Sequence, residues 1–223
     1  RDGLTAGYVE TKDVGTSLDQ TARTEQLGRY RRSLENLLLT DYVDFHWYVD
    51  GDLRDSARLA RAQSGGLGTE RGGIAAVQTL LLSFLSHAPK QVSTPRELAE
   101  RMARLAHLIR DIVVQTFETG QASSLLQGWR SAFAKVLVAD LDQPEKTPEF
   151  ADMFAQTLAY GLFSARVMDL TPGFDRREAQ HLIPKTNPLL RRFFYEITGP
   201  QLDDEPYVSF VDDLAALLAN TDM

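Results

Sequence analysis

Hydrophobic and polar positions change period twice along this chain, and the changes divide it. In Ala6-Gly7-Tyr8-Val9-Glu10-Thr11-Lys12 they alternate as in a strand, which puts Tyr8, Glu10 and Lys12 on one face. Asp13-Val14-Gly15-Thr16-Ser17 reads as a loop. Between Thr21 and Glu35, Leu27, Tyr30 and Leu34 recur at helical spacing and predict an amphipathic helix that also carries Arg29, Arg31 and Arg32. Leu37–Leu39 predicts a short buried strand, and Val43–Val49, rich in aromatic and β-branched residues, a longer one. Asp50-Gly51 then supplies a tight turn into a partner strand near residues 53–59.

Beyond Ala60 the pattern changes. Gln63-Ser64-Gly65-Gly66-Leu67-Gly68 reads as a flexible linker, and from Gly73 onward the spacing is helical. Helices are predicted over residues 74–86, 94–118, 124–140, 147–168, 176–182, 189–198 and 208–220. Thr94-Pro95 and Thr147-Pro148 carry N-terminal signals, and Asn187-Pro188 reads as a cap followed by a first-turn proline. The predicted class is therefore α+β, predominantly α. It comprises a small mixed α/β domain over residues 1–62, a glycine-rich linker over 63–73, and an irregular all-α connector over 74–223.

Composition narrows the chemistry. The chain has 223 residues, 43% of them hydrophobic, enough for sizeable cores. It contains no cysteine, which excludes disulfides, thiolate metal sites and cysteine nucleophiles. Any metal must bind oxygen or imidazole. A formal net charge of -7 argues against a wholly nucleic-acid-binding surface but leaves room for a local basic face. No apolar run approaches the roughly 20 residues that span a bilayer, and no signal peptide is expected, so the expected setting is cytoplasmic with no membrane partner.

The four histidines, His46, His87, His107 and His181, share no ligand spacing. His46, set between Phe45 and Trp47, is expected to be structural. The glycine run 65–73 lacks the Gly-Lys-Ser/Thr ending of a phosphate loop and is assigned to the linker. Asn187-Pro188-Leu189-Leu190 lacks the second proline and aromatic of an adenine methyltransferase motif, so no methyl transfer is expected of this chain.

Glu10-Thr11-Lys12 is the strongest chemical signal. A carboxylate and an ammonium two apart on a strand project side by side, where the first can ligate a divalent metal and the second can orient water or steady phosphorane charge. Such a pair also occurs as an ordinary ion pair. Gln26 and Tyr30, at i and i+4 on the following helix, can point toward the same sheet edge.

A strand ending in Glu-x-Lys followed by a helix with Gln-x-x-x-Tyr resembles the PD-(D/E)xK nucleases. Gly7–Lys12, Glu25–Tyr30 and Asn36–Phe45 together are similar to the nuclease-like N-terminal region of large restriction-modification polypeptides. Residues 150–162 and 184–188 resemble the helical spacer that those proteins place before an adenine-specific methyltransferase.

The resemblance implies Mg2+-dependent hydrolysis of phosphodiesters in double-stranded DNA. Glu10 would be a metal ligand, Lys12 would assist the attacking water, and Gln26 and Tyr30 would order the site. Arg29, Arg31 and Arg32 would be candidate phosphate contacts. S-adenosylmethionine would belong only to a downstream domain, and the implied partners are DNA and covalently linked methyltransferase and specificity regions. One departure stands out. The family's first metal-binding Asp lies on the strand before Glu-x-Lys, whereas Asp2-Gly3 reads as a hairpin tip. That Asp is expected upstream of Arg1, which would leave the fragment inert. The alternative is a non-catalytic scaffold or interaction module built on a decayed nuclease fold.

Overall fold

The computed structural model describes residues 5–63, 66–87, 92–169, 173–183 and 188–221. Asp2-Gly3, Gly65 and the predicted Asn187 cap lie outside them. The chain divides into two compact units, Arg1–Lys90 and Gln91–Met223, and is α+β with helix predominating.

The first unit is organised around a four-stranded sheet in the order β1 (Tyr8–Thr11), β2 (Asn36–Thr40), β3 (Asp44–Val49) and β4 (Asp52–Arg58). β1 runs parallel to β2, and the remaining pairs are antiparallel. Every residue of β2 is buried, as a strand covered on both faces must be. Asp50 and Gly51 both take positive φ, the geometry of a two-residue hairpin turn, and a Cβ at Gly51 would lie 2.9 Å from the Arg31 carbonyl oxygen.

The helix predicted from Thr21 is two. α1 (Leu18–Thr21) and α2 (Glu25–Ser33) are separated because Ser17 caps the first and Thr24 the second, Thr24 Oγ1 accepting from the Leu27 amide at 3.3 Å. The Thr21 and Thr24 hydroxyls also donate back to main-chain carbonyls, which favours a break at this point.

The region assigned to a linker is ordered at residues 66–69. β5 (Ala60–Gln63) and β6 (Gly66–Thr69) pair as an antiparallel ribbon, and Glu70–Gly72 then turns the chain into α3 (Gly73–Ser86). Leu80 and Phe84 of α3 pack on Leu38 and Trp47, with Phe45, Val49 and Leu81 at the margin. The division of the chain accordingly falls at Lys90/Gln91, where composition alone placed it between residues 62 and 74. The sequence contained the helical period of α3 but not its partner, and that partner is the sheet.

One buried amide joins these pieces. Asn36 Nδ2 donates to the carbonyls of Ala6 at 2.6 Å and Phe84 at 3.0 Å, and Asn36 Oδ1 accepts from the Trp47 indole at 2.6 Å.

The second unit contains α4 (Pro95–Glu118), α5 (Ser124–Val136), α6 (Thr147–Met168), α7 (Arg176–Leu182), α8 (Pro188–Thr198) and α9 (Val208–Ala219). Thr94 caps α4 ahead of Pro95, as its sequence predicts. α5 stops four residues short of its predicted end. Asp140 turns the chain through positive φ, and buried Arg130 takes the carbonyls of Leu141 and Gln143. Trp129, Phe133, Phe150, Phe154, Phe193 and Tyr207 form a continuous edge-to-face cluster at the core. Gly161 of α6 lies against the Phe194 ring so closely that a Cβ would overlap it.

Two outcomes follow from this packing. Asn36→Ala leaves the buried Trp47 indole N–H without its acceptor and the Ala6 carbonyl without its side-chain donor, at about 1–3 kcal/mol for each unsatisfied group, while the Phe84 carbonyl keeps the His87 amide. Hydrogen exchange should accelerate across β2 and β3 while the helical unit keeps its protection. Gly161→Ala should lower the stability of the helical unit by about 1–3 kcal/mol through overpacking, despite the better helix propensity of alanine, as read by thermal denaturation.

Candidate functional site

Register places Glu10 beside Leu39 of β2, followed by His46 and Ser56 across the sheet, so these four side chains stand in one row. Lys12 continues just past β1, where its amide donates to the Thr40 carbonyl at 2.8 Å. Lys12 Nζ meets Glu10 Oε1 at 2.7 Å, and both side chains are about one-quarter exposed. The pair is thus half-sheltered, at the carboxyl end of a strand parallel to its neighbour, with a fixed geometry and access to solvent.

Gln26 and Tyr30 share one flank of α2, with Gln26 Nε2 donating to the Tyr30 hydroxyl at 3.5 Å. The four residues therefore form two pairs, and among the described residues no hydrogen bond joins one pair to the other.

The three arginines of α2 have different surroundings. Arg31 is a structural clamp and not a free phosphate contact. Its Nε and Nη2 donate to the Gly51 carbonyl at 2.9 and 2.6 Å, and its guanidinium carbon lies 4.7 Å from the centre of the Tyr48 ring. Burial holds the Tyr48 phenol above its ordinary pKa, with the Arg31 charge pulling the other way. Arg29 makes an i,i+4 ion pair with Glu25 at 3.2 Å. Arg32 is exposed.

Asp41 was not singled out in the sequence, yet it builds the wall beside Lys12. Its Oδ2 accepts from the Gly15 amide at 2.8 Å, and its Oδ1 accepts from the amides of Val43 at 3.0 Å and Asp44 at 2.7 Å. One carboxylate thus ties the loop after β1 to the turn between β2 and β3. Burial alone would raise its pKa, but the amides of Asp44, Gly15 and Val43 outweigh burial and hold it below the ordinary 3.8. An Asp-x-x-Asp stretch between two strands was the available sign, since such residues often fold back on the backbone ahead of them.

Among the described residues, no group of three or more carboxylates and imidazoles is placed to hold a metal ion. The donor chemistry at Glu10 suits a hard cation, because Mg2+ binds through one or two carboxylates with water and phosphate oxygens completing its shell. Glu10 carries one carboxylate of that kind.

No family model matches the chain, and no curated protein matches it. Among solved structures, the chain is similar to part of a cryo-EM structure of the DrdV–DNA complex, with 19% identity over 95% of this chain and 19% of that one. The TM-score is 0.30, a likeness too slight to bear on fold or function. Among the described residues, no helix is long and apolar enough to cross a membrane.

Asp41 has a measurable acid signature. Because its folded pKa is depressed, its contribution is full above the ordinary carboxylate pKa and is lost as pH falls through the folded value, below 3.8. Asp41→Ala should cost about 1–3 kcal/mol at neutral pH. Urea midpoints measured against pH should show that the mutant lacks the part of the wild-type acid decline due to Asp41.

Proposed function

We propose that the first unit is the catalytic sheet of a metal-dependent deoxyribonuclease belonging to a larger restriction-modification polypeptide, and that the helical unit spaces it from domains outside this chain. The observation that carries this reading is the half-sheltered Glu10–Lys12 pair at the carboxyl end of β1. Open α/β sheets commonly bind ligands at the carboxyl ends of their strands.

In the proposed reaction water attacks phosphorus and one phosphodiester P–O bond breaks. Lys12 holds an ammonium where negative charge grows on the phosphoryl oxygens, and its bond to Glu10 keeps the flexible stem in place. Glu10 has a second carboxylate oxygen available for a divalent cation. When bound, that cation would supply charge neutralisation and a more acidic water. The Gln26–Tyr30 pair orders the flank of the site through its own hydrogen bond. The substrate is double-stranded DNA, and sequence choice belongs to other regions, because none of these residues is assigned to a base edge. Methyl transfer, with S-adenosylmethionine, belongs to a linked domain.

A second reading is a non-catalytic module that spaces or docks other domains. It is favoured by the absence, among the described residues, of a group of three or more carboxylates and imidazoles placed to hold a metal ion. Nicking of supercoiled plasmid by the whole polypeptide in Mg2+ or Mn2+ separates the two readings. Cleavage that requires the metal and falls at least about 100-fold in Lys12→Ala supports the nuclease. A folded protein in its full polypeptide that binds DNA without cutting it supports the module.

A further inference from the structure

Beyond the Glu10–Lys12 pair, the same end of the sheet holds a second polar feature. A cavity of about 410 Å3 lies where β3 and β4 meet the β5–β6 ribbon and the start of α3. Its charged lining is Asp44, Arg58, Arg61, Glu70 and Arg71, with His46 at one side. Arg58 Nε and Nη2 grip Asp44 at 2.5 and 3.1 Å, and Arg61 holds Glu70 through the same two nitrogens. These bidentate pairs fix the guanidinium planes and leave each Nη1 group uncommitted among the described residues. Arg71 is exposed and, among the described residues, has no carboxylate partner. Three guanidiniums therefore face two carboxylates, a local positive excess on a chain of net charge -7. The start of α3 lines the same cavity through Gly73 and Ala76.

The geometry points to this cleft as a binding site for a backbone phosphate of duplex DNA, on the strand that passes Lys12. This inference rests on the DNA reading of the preceding section and extends it to a second contact. Asp44 and Arg58 pair across β3 and β4 in the row that continues from Lys12 and Asp41, and Arg58 lies three strand steps from the Lys12 position. At roughly 4.8 Å per step that is about 14 Å. Phosphates recur about every 3.4 Å of helix axis along each strand, and lie farther apart than that in space because the backbone winds, so the two positions are a few nucleotides apart at most. The Nη1 groups of Arg58 and Arg61, held in place by their carboxylate partners, and the exposed Arg71 offer N–H donors to phosphate oxygens and contribute no sequence preference. The cleft thus orients the duplex over the sheet.

Binding of a labelled duplex to the whole chain, measured by anisotropy in EDTA across a salt series, tests this. Each phosphate contact contributes a slope of roughly -0.9 to log K against log salt. Arg71→Ala should weaken binding equally for unrelated sequences and flatten the slope by about 1, while Arg71→Lys keeps the slope. Arg96→Ala removes another exposed arginine, on α4 in the other unit, and should change neither quantity. A wild-type slope in folded Arg71→Ala, a loss matched by Arg96→Ala, or a wild-type chain that binds no duplex would each overturn the inference. Arg71-dependent binding by a protein that never cuts would retain the cleft and remove only the nuclease reading.

Discussion

The Asn36 amide is the constraint on which the first unit depends. It reaches the entry to β1, the end of α3 and the indole of β3 at once, using both its donor and its acceptor side. A hydrophobic residue of similar size would fill the space but leave the buried Trp47 indole N–H without an acceptor and loosen the ties to Ala6 and Phe84. The bond to Ala6 also sets where β1 begins, and with it the height at which Glu10 and Lys12 leave the sheet. A residue near the opposite end of β2 thus shares control of the candidate chemistry with Asp41, which anchors the loop on the other side of Lys12. Neither residue faces a substrate.

The periodicity of the chain made most of the elements legible. The strand at Tyr8–Thr11, the hairpin at Asp50-Gly51 and the helices from α3 onward follow from spacing and local turn chemistry, because those signals are local. The exceptions are tertiary. Glycine-rich Gly66–Thr69 has little strand propensity, and its pairing with Ala60–Gln63 depends on a ribbon that composition does not announce. Arg31 had the residue type of a phosphate contact, but a carbonyl twenty positions away and an aromatic face on β3 claim it.

At the candidate site the sequence revealed pairs but not their relation. Glu10 with Lys12, and Gln26 with Tyr30, are each set by spacing on a single element, so each was readable. Their mutual placement depends on how α2 lies against the sheet, which spacing does not encode. The polar cleft is assembled from β3, β4, β5 and the turn into α3, and no window of sequence contains it. Asp44 and Glu70 hold arginines in position there, so acidic residues that lower the net charge also shape a local cationic surface.

The chain's two tryptophans are divided between its two units. Trp47 is buried under α3 with its indole N–H bound to Asn36, whereas Trp129 lies in the aromatic cluster of the helical unit. Among the described residues, the indole N–H of Trp129 has no acceptor. The molecule therefore carries an intrinsic fluorophore in each half, one hydrogen-bonded and one surrounded by rings. Replacing either with phenylalanine would leave emission that reports on a single unit, so the unfolding of the sheet and of the helices can be followed separately in the intact chain.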